Sequence, residues 1–447
     1  MGPDPRQLFS RLDAPSGALL AVSGGSDSLA LLLLAHHHFH ERGLPLLAVT
    51  VDHRLRPEAE DEAETVAAFC RERGIPHRIM VWDGEKPSTG ISEAAREARY
   101  QLLAQAAGEA GTNIILVGHT MDDQAETVAM RLARGEGSGL AGMADATLYD
   151  ERFWILRPLL SVRRNQLRAY LSAQDVRWID DPSNESETYE RVRVRQSLDD
   201  HQVLALTERA RIEGEQRHTL AEAAAAEIKR HVTMPLPGLF CVAPQMFAGP
   251  SPACVVALRA LLATAGGTPR LPDSGRAEAL SRRLEAGEKM RATLSRAVID
   301  RRRDAVFIWR EDRDVPTVAL NSDEAIWDGR WRIRGGRGHV VSPTCPDLPE
   351  DQAIEDVPNS IARAARSVLP ALSPAEVGAT AGSATIEPLA APFSRFLPEF
   401  DLALAQAVAK LIGSAALPPL PWKQQIDTQP LTERGASAWQ GPARCLC

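Results

Sequence analysis

The first 160 residues restrict the fold more than any other part of the chain. Four short apolar runs, ALLAVS (18–23), PLLAVTV (45–51), HRIMVW (77–82) and NIILVGH (113–119), alternate with helix-like stretches near 27–41, 58–73, 92–109 and 121–134. Gly43, Gly74 and Gly111 stand near helix ends, where a left-handed cap suits glycine. Near-continuous apolar strands, each followed by a helix, predict an α/β fold with a parallel sheet covered by helices on both faces. In such sheets ligands bind beyond the carboxyl ends of the strands. Chemistry is therefore expected in the residues just after each strand.

Directly after the first run comes SGGSDS, residues 23–28, leading into a helix. Gly24 and Gly25 have no Cβ, so backbone can approach phosphate oxygens, and Ser23, Ser26 and Ser28 add hydroxyl donors at a helix N-terminus. The Walker pattern and its lysine are absent. Asp27 is the informative residue. Two like charges about 4 Å apart repel by roughly 4 kcal/mol at an effective dielectric near 20. Mg²⁺ reverses that sign, because it commonly binds one or two carboxylates together with substrate phosphates. A loop that carries Asp27 therefore suits Mg²⁺–pyrophosphate. A plain helix cap would explain a carboxylate here, but not its company of glycines.

Three other segments fall at the same sheet edge. In GHTMDDQAET (118–127), His119 closes the fourth run, and Asp122, Asp123 and Glu126 open the next helix. His119 with Asp123, and Asp122 with Glu126, are four apart, a spacing that aligns each pair on one helical face. The plainer reading is a helix start enriched in acids. Asp52, His53, Arg54 and Arg56 follow the second run, and Arg96, Arg99 and Tyr100 lie near the start of a helix. Taken singly, either group reads as surface charge. LAHHHFH (34–40) offers only His36 and His40 at helical spacing and reads as a surface helix end, not a metal site.

A chain of 447 residues exceeds one ordinary core, so two or three domains are expected. Residues 205–231 are Ala/Glu-rich and helical, as suits a connector, and IWDGRWRIRGG (326–336) looks like a hairpin around Asp328-Gly329. Beyond about 340 the chain is rich in Pro, Ala and Ser. The expected division is a catalytic domain at 1–200, a helical connector with an α+β domain at 201–340, and a C-terminal region at 341–447. The longest apolar run, around Leu29–Ala35, is far short of the roughly 20 residues of a membrane helix. With no signal-peptide pattern at the start, a cytoplasmic protein without membrane partners is expected. None of the six cysteines forms a CxxC pair, which argues against zinc, iron–sulfur or disulfide frameworks. Net charge is −8, yet residues 270–303 hold ten basic side chains against five acidic ones. A locally basic second domain on an acidic whole is therefore compatible with a nucleic-acid partner.

SGGSDS, VDHRLRPEA, AAREARY, GHTMDDQAETVAMRLARGEGSGLAGM, LRPLL and DDPSNES, in this order, resemble the tRNA(Ile)-lysidine synthetases, members of the N-type ATP pyrophosphatases. The resemblance covers residues 18–195, weakens over 200–335 and fades after 340. It implies a five-stranded parallel sheet of the adenine nucleotide alpha hydrolase type. It also implies a C–N bond-forming ligase that uses ATP and Mg²⁺. The wobble cytidine of tRNA(Ile) with a CAU anticodon would be adenylated at its C2 oxygen, and lysine would displace AMP to give lysidine.

On that footing Ser23, Gly24, Gly25, Ser26, Asp27, Ser28 and His53 are expected to bind ATP, with Asp27 on Mg²⁺. Asp123 or its neighbour Asp122 is expected to bind the lysine amine and take its proton. His119 would contact phosphate or orient the carboxylates. Arg96, Arg99 and Glu126 are assigned to lysine or tRNA, and the Gly-rich 133–143 to wrapping lysine or the flipped base. In YERVRVRQS (189–197), Arg191, Arg193 and Arg195 share one face if the segment is extended, which makes a phosphate ladder. The family often carries an asparagine in this stretch, where Val192 or Val194 stands here. A homodimer is left open. The alternatives are a tRNA cytidine thiolase, which would carry CxxC cysteines and usually a lysine at Ser26, a small-molecule ligase of the superfamily, and a nonenzymatic ATP-binding module.

Overall fold

A computed structural model describes residues 2–135, 138–180, 190–343, 354–375 and 383–423. DDPSNES beyond Asp180, part of the Gly-rich 133–143 stretch, and Cys345, Cys445 and Cys447 lie outside the described residues.

After a one-turn helix α1 (Pro5–Leu8), strands β1 (Ala18–Ala21), β2 (Leu46–Asp52), β3 (His77–Val81) and β4 (Ile114–Leu116) alternate with helices α2 (Ser26–Glu41), α3 (Ala59–Glu72), α4 (Ile91–Glu109) and α5 (Met121–Ala133). A hairpin of β5 (Ala146–Tyr149) and β6 (Phe153–Leu156) follows, then α6 (Arg164–Ser172) and α7 (Glu190–Ser197). Strands β1, β2, β3, β4 and β6 run parallel in the order β6-β4-β1-β2-β3. The expected parallel sheet is present but wider than five strands. β5 adds antiparallel to β6, and a strand from far downstream, Phe396–Pro398, adds antiparallel to β5, giving seven. Leu19, Ala21, Val49 and Ile115 face the α4 side, while Leu20, Ala48, Ile114 and Leu116 join the large core on the other. That two-sided burial is why these strands read as unbroken apolar runs.

The long helix α8 (Asp200–His231) packs on α5. It leads into a five-stranded antiparallel sheet of β7 (Val232–Leu236), β8 (Leu239–Val242), β9 (Met290–Leu294), β10 (Ala297–Arg301) and β11 (Val306–Arg310), backed by α9 (Pro252–Gly266) and α10 (Ser274–Glu285). The Asp328-Gly329 hairpin forms between Glu324–Trp327 and Trp331–Arg334, with both turn residues at positive φ. The described part of 341–423 divides: Thr385–Pro388 completes the sheet of that hairpin, whereas Phe396–Pro398 returns to the N-terminal sheet. A helix, Leu402–Ile412, then lies along α8.

RVRVR is a helix, not an extended ladder. Val192 is buried on α5, which fixes the face, so Arg191 and Arg195, one turn apart, point together while Arg193 is exposed on another side. His119 also differs from expectation. Thr120 caps α5, so His119 precedes the helix and does not share a helical face with Asp123.

Candidate active site

The turn from β1 into α2 is shaped by its glycines. Gly24 has φ +82°, and a Cβ there would meet Ile179 Cδ1 at 2.7 Å. Over Gly25, the helix N-cap, the nearest atoms to such a Cβ are Ser23 Oγ at 3.7 Å and the Ile179 carbonyl at 3.9 Å, so that side of the turn is not crowded. Ser28 donates to the Gly25 carbonyl at 3.0 Å and accepts from the Ser23 amide at 3.2 Å, which holds the loop closed. Residue 118 must also be small, because a Cβ on Gly118 would sit 3.2 Å from the Asp27 carbonyl. A glycine turn at a helix N-terminus fits a polyphosphate.

At the start of α5, Thr120 and Asp123 form a reciprocal cap. The Thr120 amide and hydroxyl both donate to Asp123 Oδ2 at 2.8 Å, and the Asp123 amide returns a bond to Thr120 Oγ1. This leaves Oδ1 facing the site, where it accepts from Arg164 at 2.9 Å and Arg191 at 2.7 Å. Glu126, 1% exposed, accepts from Arg191 Nε and Arg195 Nε, each at 2.7 Å, and from Arg164 at 3.4 Å. Asp27 accepts from Arg164 at 2.9 Å and from the Ser26 hydroxyl at 3.1 Å. Asp122 is held by the Arg163 guanidinium at 3.2 Å and by the Arg164 amide at 2.8 Å.

Four carboxylates thus meet four guanidiniums. Burial drives the Asp27 carboxyl above its ordinary range, against the pull of Arg164. For Asp123 burial pushes the same way, but Arg164 and Arg191 outweigh it and hold the carboxyl below its usual range. His119 is driven by burial, then by the Arg157 charge, down to about 3, so its imidazole is neutral. Burial, reinforced by Arg99, also lowers His53. The Nδ1 atoms of His53 and His119 are buried and have no protein partner among the described residues.

Arg96 and Arg99, on the first turns of α4, form a second pole. Neither makes an ion pair among the described residues; Arg96 lies 5.1 Å from the Tyr100 ring centre. The buried Arg157 donates to the Ala144 carbonyl at 2.8 Å and to Thr147 Oγ1 at 2.9 Å. One pole is acidic and already neutralised, and the other is cationic and unpaired.

Residues 5–202 match the PP-loop domain of the ATP_bind_3 family. Over 438 residues the chain is 46% identical to the tRNA(Ile)-lysidine synthase of Mesorhizobium japonicum, covering 93% of this chain and 96% of that one. The chain belongs to the tRNA(Ile)-lysidine synthase family. The enzymes of that name from Rhizobium meliloti and Brucella canis are 39% and 35% identical, each over 93% of this chain and 96% and 99% of their own.

Among the family residues expected from sequence, the structure brings together Asp27, Asp122, Asp123, Glu126, Arg191 and Arg195. Arg193 stands apart. Sequence reading missed Arg163 and Arg164, whose side chains join all four acids. A signal was present: two arginines opening α6 oppose the helix dipole, so something outside the helix must hold them there. Among the described residues no cluster of three or more metal-ligating side chains occurs. A site built from one carboxylate and substrate phosphates needs none.

Proposed function

We propose that this protein joins the ε-amine of lysine to C2 of the wobble cytidine (position 34) of tRNA(Ile) with a CAU anticodon, through an adenylated tRNA, giving lysidine. Relationship to lysidine synthases over nearly the full chain supports the reaction. The observation that carries the site assignment is Glu126: a carboxylate 1% exposed beside Asp123, with every partner a cation, is a place prepared for an ammonium group.

The amides of Gly25, Ser26 and Asp27 at the helix N-terminus and the Ser23 hydroxyl hold the phosphates of ATP. Asp27 would hold Mg²⁺, which would offset the phosphate charge. His53 and His119 offer neutral ring nitrogens to nucleotide or base. Asp123 and Glu126 bind the ε-ammonium, and Arg96 and Arg99 meet an anionic group, the lysine carboxylate or a tRNA phosphate. Asp123 is a weak base while Arg164 and Arg191 hold Oδ1. Transfer of Arg191 and Arg195 to tRNA phosphates raises its basicity and opens the ammonium position in the same movement. Asp122, locked by Arg163, positions α6 and is not the base. The basic 270–303 region contacts tRNA outside the anticodon.

The test is transfer of radiolabelled lysine to CAU-anticodon tRNA(Ile) with ATP and Mg²⁺, with release of AMP and pyrophosphate. An unlabelled tRNA overturns the reading. Asp123→Asn is expected to abolish labelling with the fold intact; retained activity removes Asp123 from its role.

A further inference from the structure

The cationic pole on α4 is held from an unexpected direction. The chain returns from the distal sheets at Arg395 and lays the strand Phe396–Pro398 along the free edge of β5, pairing Phe396 with Tyr149 and Leu397 with Leu148. Leu397 is fully buried, so this strap is part of the α/β unit and not an overlying tail. Its side chains reach the same turn of α4 that presents Arg96 and Arg99. The Arg395 guanidinium pairs with Glu97 and with Asp150, the latter at 3.5 Å, and lies 4.5 Å from the Tyr149 ring centre. Tyr149 in turn donates to Glu97 at 3.4 Å. Phe396 meets the Tyr100 ring edge-on at 5.4 Å and the Tyr149 ring at 5.0 Å. Tyr100, 1% exposed, carries Arg96 against its face.

The strap continues to the other pole. Phe400 lies against Gly214 of α8, where a Cβ would come within 2.9 Å of its ring, and Asp401 accepts from Arg217 of α8 at 2.9 Å. α8 packs on α5, the helix that carries Asp123 and Glu126. Residues 395–401 therefore tie the helix of the cationic pole to the support of the acidic pole, across the end of the sheet.

We propose that residues 395–401 are a positioning strap for the substrate site, with Arg395 through Glu97, and Phe396 through Tyr100, fixing the α4 turn that presents Arg96 and Arg99 to an anionic group of the substrate. The proposal rests on the functional reading above. A zwitterionic amino acid must engage both poles at once, and the strap adds to the central sheet a second connection that holds their spacing. Arg395 is a positioning residue; it acts through α4 and is not placed on the reacting atoms.

The test compares full-length wild type with Arg395→Gln, Arg395→Lys, Glu97→Gln and the Glu97→Gln/Arg395→Gln double variant, measuring KM for lysine, tRNA and ATP separately, kcat and thermal midpoint. Arg395→Gln is expected to raise KM for lysine or for tRNA on the order of tenfold, as small misplacements of binding groups do, with kcat, ATP KM and thermal midpoint little changed. Which KM moves identifies the anion as carboxylate or phosphate. Arg395→Lys should keep most of the wild-type KM, and the double variant should be no worse than Arg395→Gln alone, because both single changes break the Arg395–Glu97 linkage. Unchanged KM values, a loss that only tracks a lower midpoint, or additive losses overturn the strap. Wild type that fails to label tRNA overturns the functional reading instead.

Discussion

Replacing Glu126 by Gln removes one charge from the acidic pole and leaves its shape. Glu126 accepts four bonds from three guanidiniums, two of them at 2.7 Å, and its side chain is 1% exposed. A hydrogen bond to a charged group contributes about 1.5–3 kcal/mol and a neutral one about 0.5–1.5, so exchanging one class for the other costs the bound ammonium roughly 1.5 kcal/mol. That corresponds to about a tenfold rise in KM for lysine. A full Coulomb term at an effective dielectric near 20, about 4 kcal/mol at 4 Å, sets the ceiling near a thousandfold. The lower figure is expected, because Arg191 and Arg195 are 42% and 32% exposed and pair with water when Glu126 loses its charge. The assay is lysine-dependent labelling at saturating ATP and tRNA, with ATP KM measured alongside. Asp122→Asn is the contrast: its carboxylate is committed to Arg163 and the α6 backbone, so it should lower thermal stability and leave lysine KM in place. If Glu126→Gln leaves lysine KM unchanged, or raises ATP KM instead, Glu126 is not the ammonium site.

Two stability predictions test the strap's surroundings. Gly214→Ala inside α8 should gain about 1 kcal/mol from helix propensity alone, but its Cβ meets the Phe400 ring, so overpacking of about 1–3 kcal/mol makes it net destabilising in urea titration. In a Phe400→Ala background the same change should become stabilising; the same sign in both backgrounds refutes the contact. Glu399 is pushed up to about 8, first by burial and then by Asp145. A carboxyl whose folded pKa lies above its unfolded value adds stability that is full below the unfolded value and lost as pH rises toward 8. The thermal midpoint should therefore fall between pH 5 and pH 9 through this group, and Glu399→Gln should flatten that fall; an identical pH profile in the variant excludes it.

The sequence by itself determined the α/β core and the edge where chemistry sits. Apolar runs, helix periodicity and end glycines are local signals, and β1–β4 with α2–α5 appear within a few residues of where those signals put them. SGGSDS and an acid-rich helix start after the fourth strand were likewise legible, because loop and helix-start signals depend on neighbours in the chain; the Thr120 cap that leaves His119 outside the helix was not read. Only the tertiary structure decided what the charges do. Arg164 reaches Asp27 across 137 positions, and Arg191 reaches Asp123 across 68. No periodicity records pairings of that span. Alternating Arg and Val in RVRVR suits a strand, yet buried carboxylates on α5 reward the helix that delivers two guanidiniums one turn apart. The strap was hidden for the same reason: a three-residue strand ending in Pro398 is too short to show alternation, and it forms because β5 offers it an open edge.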